Sequence, residues 1–282
     1  GPGEEDEPPV VGRPEGCRSA APVLVRVSDL DASRENLDEE IPDDDGPPGA
    51  GLFAALSWEP PAAPAPAWDD LGREAVRRHD MTDSGWFHDP LYFGTYPQEA
   101  IDFSGVKMPI ESDDMKIISE KLDWHGLNYY FPAKIGDDPT GGGARTTWNH
   151  IDGPKTDMGW GMNAGVMRDF LIKLKDHWKA PKIYITENGS AWPDTIAADG
   201  GVHDPEREAY LMDHLTAAAE ALEAGVDLRG YFGWSLLDNY EWAYGYDKRF
   251  GYTYVDYATQ KRTIKDSGYW YADVIKSNGA DI

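Results

Sequence analysis

The chain has 282 residues, enough to bury one large core or two modest ones. Its formal net charge of -25 at pH 7 argues against a nucleic-acid-binding protein, because nothing would neutralise the phosphates, and it disfavours an anionic membrane surface. The single cysteine, Cys17, excludes an intramolecular disulfide and indicates a reducing compartment. We interpret the acidity as a solvated surface that keeps the protein soluble, with adaptation to high salt as the alternative.

The amino-terminal segment differs in composition from the rest of the chain. Residues 1–49 are acidic, rich in proline and glycine and poor in large apolar side chains, which predicts that they are largely disordered. Within them, only PVLVRVSDL (22–30) has the content of a strand. We find no bilayer-spanning apolar run and no signal-peptide pattern at the start, so we expect a cytoplasmic protein whose structured part is 50–282.

From residue 50 onward, strand-like and helix-like segments alternate. The segments predicted as strands are 52–58, 121–130, 182–186 and 226–239. The segments predicted as helices are 69–80, 163–178, 204–225 and 267–279. In the third helix Asp204 suits the cap, Pro205 the first turn and Gly225 the position after the end. This alternation predicts parallel strands joined by helical crossovers.

Polar and aromatic side chains gather at the predicted carboxyl ends of these strands, where ligands bind in parallel α/β folds. The ends are Trp58-Glu59-Pro60, Asn128-Tyr129-Tyr130, Glu187-Asn188 and residues 234–242. Flat aromatic rings beside carboxylates suit a sugar, because its C–H face stacks on indole and its hydroxyls donate to the acids. Glu187 in KIYITENG is then either a solvated turn acid or a carboxylate aimed into a site.

Some of these motifs have other interpretations, and several other kinds of site were considered. Asn188-Gly189-Ser190 is a glycosylation sequon, which matters only in a secretory compartment. Asp238 is a candidate cap or loop brace. The histidines lack zinc-ligand spacing, and the chain has neither a G-x-S-x-G elbow nor a phosphate-binding glycine loop. We therefore expect no metal and no cofactor, and carboxylate chemistry remains the main candidate.

Several segments resemble one enzyme family over most of the chain. YITENG (184–189) and GYFGWSLLDNYEWAYGYDKRFG (230–251) are similar to the carboxyl-terminal half of family 1 glycoside hydrolases, the β-glucosidase family. The similarity continues through GWFHDPLYFGTYP (85–97), PKTDMGWG (154–161) and VDYATQKRTIKDSGYWY (255–271). The resemblance implies an α/β fold of the (β/α)8 TIM-barrel type and a retaining β-glucosidase mechanism, acting on β-glucosides or short β-linked oligosaccharides.

The resemblance also implies roles for individual residues. Glu187 corresponds to the nucleophile and Tyr130 to the tyrosine that steadies it. The substrate-binding positions implied are Asn128 in the same strand-end cluster, Trp234 under the glycone sugar, Glu241 and Trp242 on the hydroxyls of that sugar, and Trp160 and Phe250 on the aglycone side. A retaining enzyme needs a second carboxyl group about 5–5.5 Å from the nucleophile, acting as acid and then base.

In the family the second carboxylate lies in a T-x-N-E-P motif, which has no match here, so we expect this chain to lack that carboxylate. Trp58-Glu59-Pro60 fits the fifth-strand end of the family, so the chain is expected to supply strands five to eight of the barrel. We therefore expect the chain alone to show weak or no glycoside hydrolase activity. The alternatives are a non-catalytic sugar-binding or assembly module, completed by an amino-terminal half or by a homo-oligomer, and a fragment without independent function.

Overall fold

The computed structural model describes residues 51–53, 70–138, 140, 144–280 and 282. Among these residues the helices are α1 (Asp70–Thr82), α2 (Ser84–Phe93), α3 (Gln98–Ser104), α4 (Asp114–Ile118), α5 (Ala164–Asp176), α6 (Pro205–Glu223) and α7 (Asp266–Ser277). The strands are β1 (Gly51–Phe53), β2 (His125–Asn128), β3 (Ala133–Asp137), β4 (Thr146–His150), β5 (Ile183–Asn188), β6 (Leu228–Gly233), β7 (Thr253–Val255) and β8 (Arg262–Ile264). The predictions for 1–49, for the strand at 22–30 and for Trp58-Glu59-Pro60 lie outside the described residues.

Four strands form a parallel sheet in the order β1-β2-β5-β6. Leu127 of β2 pairs with Ile185 of β5, and Ile185 pairs with Tyr231 of β6. The predicted parallel strands with helical crossovers are therefore confirmed in the described part of the chain. Because all four strands run the same way, the residues that follow them emerge at one edge of the sheet.

The core lies between this sheet and the helices α5 and α6. Leu127 and Ile185 of the sheet are fully buried, and so are Phe170 and Leu174 of α5. The predicted stripe with four-residue spacing is buried throughout: Val166, Phe170 and Leu174 lie on α5, and Trp178 lies two residues past its end. Burying each such side chain contributes about 1.5–3 kcal/mol relative to exposure, and this packing fixes the positions of β2 and β5.

On α6 the prediction was only partly right. Leu211 and Ala218 are buried as predicted, but Leu215 is only half-buried and Leu222 is half exposed, because each follows the buried His214 or Ala221 by one residue and is rotated about 100° away from the inner face. His214 and Ala221 complete the inner face instead. Pro205 begins the helix, yet the Asp204 side chain does not cap it. Gly225 adopts φ +84° just past the end, as predicted.

Two antiparallel hairpins, β3–β4 and β7–β8, were not predicted from the sequence. In β4, TTWNH (Thr146–His150) lacks a clean alternation of apolar and polar residues, and most of its side chains are half or fully exposed. The helices α2, α3 and α4 between β1 and β2 were also missed, since they are short and carry little apolar periodicity. Within the described residues no helix is long and apolar enough to cross a membrane.

Candidate active site

The carboxyl ends of three neighbouring strands lie side by side. Asn128 of β2 pairs with Glu187 of β5, and Asn188 of β5 pairs with Gly233 of β6. Just beyond, the Trp234 amide donates to the Asn188 carbonyl at 2.8 Å. The polar and aromatic residues that end these strands in the sequence are therefore neighbours in space.

Glu187 is held by a phenol from the adjacent strand end. The Tyr130 hydroxyl donates to Glu187 Oε2 at 2.5 Å. Burial, followed by this hydrogen bond and the negative charge of Glu187, raises the pKa of Tyr130 well above its ordinary value. Tyr130 therefore stays protonated at neutral pH and donates its hydrogen bond to the Glu187 carboxylate. The sequence left two interpretations of Glu187: a solvated acid in a turn, or a carboxylate that points into a site. This hydrogen bond agrees better with the second.

The two asparagines beside Glu187 shape the strand ends. Asn128 Oδ1 accepts a hydrogen bond from Thr186 Oγ1 at 2.6 Å. Asn188 is fully buried, and its amide nitrogen donates to the Tyr129 carbonyl at 2.7 Å and to the Tyr210 hydroxyl at 3.0 Å. Because both of its N–H groups are used inside the fold, the Asn188 sequon is not accessible to glycosylation in the folded protein.

Three aromatic rings meet beside Glu187. The Tyr130 ring lies 5.5 Å from Trp160 and 6.1 Å from Phe250, centroid to centroid, and Trp160 lies 6.0 Å from Phe250. Phe250 is buried, whereas Trp160 is half-buried. Such tilted and edge-on contacts are favourable for aromatic pairs, and they give the site a fixed apolar wall.

The loop after β6 carries the remaining predicted residues. Burial, with the negative charge of Glu187 as a second cause, raises the pKa of Glu241; the two carboxylates are thus close enough to repel each other. Trp234 is half-buried at the start of the loop, and Trp242 is 79% exposed in a 3-10 turn spanning Trp242–Tyr244. Trp242 is therefore a flat ring open to solvent beside Glu241.

Gly189 allows this loop to approach the end of β5. A Cβ atom at Gly189 would lie 1.8 Å from the Trp234 carbonyl oxygen and 2.9 Å from its carbonyl carbon. No side chain fits there without separating the backbone after β5 from the backbone after β6. The glycine of the TENG motif is thus required by a close backbone contact, not only by a turn.

A buried ionic network lies beneath the loop and was missed in the sequence. Its carboxylates belong to Asp194, Asp204 and Asp238, and its cations to Arg207, Lys265 and Arg249. Three acids and three bases make the network neutral, which is what burial of charges requires. No local sequence signal distinguishes these residues from ordinary surface charges.

Lys265 links the Asp194 part of the buried ionic network to the Asp238 part. The ammonium is 2.5 Å from Asp194 Oδ2 and 2.8 Å from Asp238 Oδ1, and the Lys265 side chain is fully buried. Burial and the neighbouring Arg207 lower the pKa of Lys265, against the raising effect of the two carboxylates. Asp238 also accepts from Arg249 at 2.6 Å and from the Gly251 amide at 3.0 Å. Asp238 is thus a loop brace, one of the two roles considered from the sequence.

Arg207 connects this network to the strand ends. Its guanidinium donates to Asp194 Oδ2 at 2.6 Å, to the Arg249 carbonyl at 2.9 Å and to the Ser190 carbonyl at 3.3 Å. Ser190 follows the end of β5 and Arg249 precedes Phe250. The guanidinium therefore ties the segment after Glu187 to the segment that carries the aromatic wall.

Two further features of the described residues bear on the chemistry. No group of three or more histidine, cysteine, aspartate or glutamate side chains is placed to hold a metal ion in this part of the chain. A cavity of about 440 Å³ lies between α6 and the loop before α5, lined by Lys155, Trp192 and His214 among others. Glu187 does not line it, so we place the candidate site at the strand ends, where Tyr130 binds Glu187.

Known proteins match this chain over most of its described length. The sequence profile described as Glycosyl hydrolase family 1 matches residues 41–280. The chain is 46% identical to Beta-glucosidase A of Thermotoga maritima, over 73% of this chain and 47% of the relative. It is 43% identical to Beta-glucosidase A of Acetivibrio thermocellus, over 81% of this chain and 51% of that protein.

Solved structures match it in the same way. The family 1 b-glucosidase from Thermotoga maritima superposes with a TM-score of 0.72 at 42% identity, covering 82% of this chain and 50% of that one. The same enzyme in complex with deoxynojirimycin gives the same four values. The chain therefore spans about half the length of the relatives that it matches.

Proposed function

Because this chain belongs to glycosyl hydrolase family 1, we propose that it supplies the nucleophile and the glycone-binding side of a retaining β-glucosidase site. The observation that carries the proposal is the hydrogen bond from Tyr130 to Glu187 at the edge where the parallel strands end. Relatives named as β-glucosidases and a relative bound to deoxynojirimycin support a β-glucoside or short β-linked oligosaccharide as substrate.

In this mechanism Glu187 acts as the nucleophile. Its ionised carboxylate attacks the anomeric carbon, the bond to the leaving-group oxygen breaks, and a covalent glycosyl-enzyme forms that water then hydrolyses. The Tyr130 hydroxyl donates to one carboxylate oxygen of Glu187 and leaves the other oxygen for the attack. A second carboxyl group must protonate the leaving group and later activate the water.

The other site residues bind the two sides of the scissile bond. Trp234 offers a platform for the glycone ring, and Glu241 and Trp242 contact its hydroxyls, which donate to the Glu241 carboxylate. Asn128 stands in the same strand-end cluster. Trp160 and Phe250 form the aglycone-side wall, since their rings pack on Tyr130.

The acid/base partner comes from outside this chain. The sequence contains no T-x-N-E-P motif, and the chain spans about half of its relatives. We assign the four parallel strands to strands five to eight of a (β/α)8 barrel, which an amino-terminal half that carries the acid/base carboxyl group completes. By itself the chain then hydrolyses natural β-glucosides poorly or not at all, because an unactivated leaving group needs proton donation.

Covalent trapping tests the nucleophile without the acid. A 2-fluoro β-glucoside with a highly activated leaving group needs little proton donation, so slow labelling of the chain is expected by intact-mass spectrometry, with the label mapped to the peptide containing Glu187. Glu187→Gln should abolish labelling, whereas Glu206→Gln, at an exposed carboxylate on α6, should leave it unchanged. Absence of the label, or a label that survives Glu187→Gln, would refute the assignment.

Turnover of cellobiose tests the incomplete site. The purified chain is expected to show no robust turnover, and an efficient reaction would show that the acid/base group lies within this chain. Glucose binding without covalent labelling would favour the non-catalytic sugar-binding module instead.

A further inference from the structure

Strand β5 contains one extra residue immediately before the candidate nucleophile Glu187. Leu127 of β2 pairs with Ile185, but the next residue of β2, Asn128, pairs with Glu187. The register of β5 against β6 shifts in the same stretch. Thr186 is therefore the unpaired residue of a β-bulge on the β2 side, an irregularity that changes the direction of the neighbouring side chains.

The side chain of this unpaired residue fixes the orientation of the Asn128 carboxamide. Thr186 Oγ1 lies 2.6 Å from Asn128 Oδ1, a distance typical of an O–H···O hydrogen bond and shorter than an N–H···O hydrogen bond. With the carboxamide turned over, the Thr186 hydroxyl proton and Asn128 Oδ1 would both lack a partner, since neither side chain makes another hydrogen bond within the described residues. The hydroxyl therefore donates and the carboxamide oxygen accepts.

This hydrogen bond leaves the Asn128 amide nitrogen available to a ligand. Asn128 is half-buried at the end of β2, and its Nδ2 atom has no hydrogen-bond partner in the part of the chain that the structure describes. Asn188 differs, because both of its N–H groups are used inside the fold. The nitrogen of Asn128 carries two N–H donors, so the residue can donate to an acceptor such as a sugar hydroxyl oxygen.

The packing around Thr186 holds its hydroxyl in place. A Cβ atom at Gly126 would lie 3.1 Å from Thr186 Cγ2 and 3.3 Å from Thr186 Oγ1, so the threonine side chain packs closely over the backbone of β2. A β-branched side chain also has few χ1 rotamers. Because the hydroxyl is fixed before a ligand arrives, orienting Asn128 through it costs little conformational entropy on binding.

We propose that Thr186 is a positioning residue of the candidate site: its hydroxyl holds Asn128 Oδ1 and thereby directs the Asn128 N–H groups to a hydroxyl oxygen of the glycone sugar. This inference rests on the proposed function, because it assigns a sugar to the strand ends beside Glu187. Thr186 itself does not contact the sugar. Its contribution passes entirely through Asn128.

Isothermal titration with deoxynojirimycin, which a solved relative binds, measures the effect on affinity without requiring turnover. Thr186→Val replaces the hydroxyl by a methyl group of similar size, so the affinity should fall about 2- to 10-fold, the contribution of one neutral hydrogen bond. Thr186→Ser keeps the hydroxyl and should stay within about 2-fold of the parent. Thr263→Val, at a half-buried threonine of the second hairpin, should not change the affinity.

A double-mutant cycle separates positioning from a general structural effect. Asn128→Ala removes the donor and should weaken binding at least as much as Thr186→Val. Because Thr186 acts through Asn128, adding Thr186→Val to Asn128→Ala should cause no further loss, whereas a general weakening of the strand end would add in full.

Nuclear magnetic resonance gives a measurement that needs no ligand. The ¹⁵N relaxation of the Asn128 carboxamide, identified by the signal that Asn128→Ala removes, reports the mobility of this group. The carboxamide should be rigid in the parent and in Thr186→Ser and mobile in Thr186→Val.

The outcomes distinguish the positioning role from the hydrolase. If Glu187 is labelled by the fluoroglucoside while Thr186→Val keeps the rigidity of Asn128 or the parent's affinity, or while the two losses add, the positioning role is refuted and the proposed function stands. If no label forms but Thr186→Val frees the carboxamide and weakens binding only when Asn128 is present, the positioning role stands and the hydrolase assignment fails. A parent chain that does not bind deoxynojirimycin overturns the positioning role, whether or not Glu187 is labelled.

Discussion

Replacing Lys265 by methionine removes the central cation of the buried ionic network with little change in side-chain length. In the parent, Lys265 contacts Asp194 Oδ2 at 2.5 Å and Asp238 Oδ1 at 2.8 Å. The variant leaves three carboxylates with the two arginines, so the network changes from neutral to a net charge of about -1. The Lys265, Asp194 and Asp238 side chains are almost fully buried, so the remaining charge is not exposed to solvent.

The expected loss of stability is about 3 kcal/mol. Removing one partner of a buried ion pair costs roughly 3–5 kcal/mol, chiefly because a charge remains buried without compensation. The low end applies here because Asp194 keeps Arg207 at 2.6 Å and Asp238 keeps Arg249 at 2.6 Å. Against a total of about 5–15 kcal/mol for a typical protein, this is a large fraction.

Urea denaturation followed by tryptophan fluorescence measures the change. Lys276→Met is the matched control: its partner Asp273 is 3.4 Å away and both side chains are about half or more exposed, so less than about 1 kcal/mol is expected. The double variant Lys265→Met with Asp238→Asn restores charge balance and should recover part of the loss. The reasoning is refuted if Lys265→Met and Lys276→Met destabilise equally, or if the double variant is additively worse.

Two further predictions concern the strand ends and the buried histidines. Gly189→Ala places a methyl group against the Trp234 carbonyl and should lower the free energy of unfolding by about 1–3 kcal/mol. Gly201→Ala is the control, because its added Cβ has ordinary contacts at 3.4 Å, and it should be near neutral in the same urea titration. Equal effects of the two variants would contradict the predicted clash. Burial lowers the pKa of His88 from 6.5 to about 4 and that of His125 to about 3, so the unfolded chain binds more protons over that range and stability is lost as the pH falls below 6.5. At about 1.4 kcal/mol per pH unit, His88 alone accounts for about 3 kcal/mol between pH 6.5 and 4; a flat unfolding free energy across this range, compared with His88→Asn as the control, would exclude the effect.

The alternation of strands and helices was readable from the sequence because it depends on local patterns. Ile183–Asn188 and Ala164–Asp176 have the apolar content and spacing of a buried strand and an amphipathic helix. The carboxylate and aromatic residues at the strand ends were readable for a related reason, since parallel strands bring their ends to one edge. The TENG glycine suggested only a turn, and its contact with the Trp234 backbone emerged in three dimensions.

What the sequence by itself determined is the parallel α/β architecture, the family resemblance and the set of residues around Glu187; the catalytic and binding roles of those residues stay predictions. The tertiary structure alone decided the two antiparallel hairpins and the burial of Lys265, which meets Asp194 across 71 positions of the chain. The physical reason is that a charged residue has the same local signal on a surface as in a core. Its burial depends on oppositely charged partners from distant segments, and only the folded chain brings those partners together.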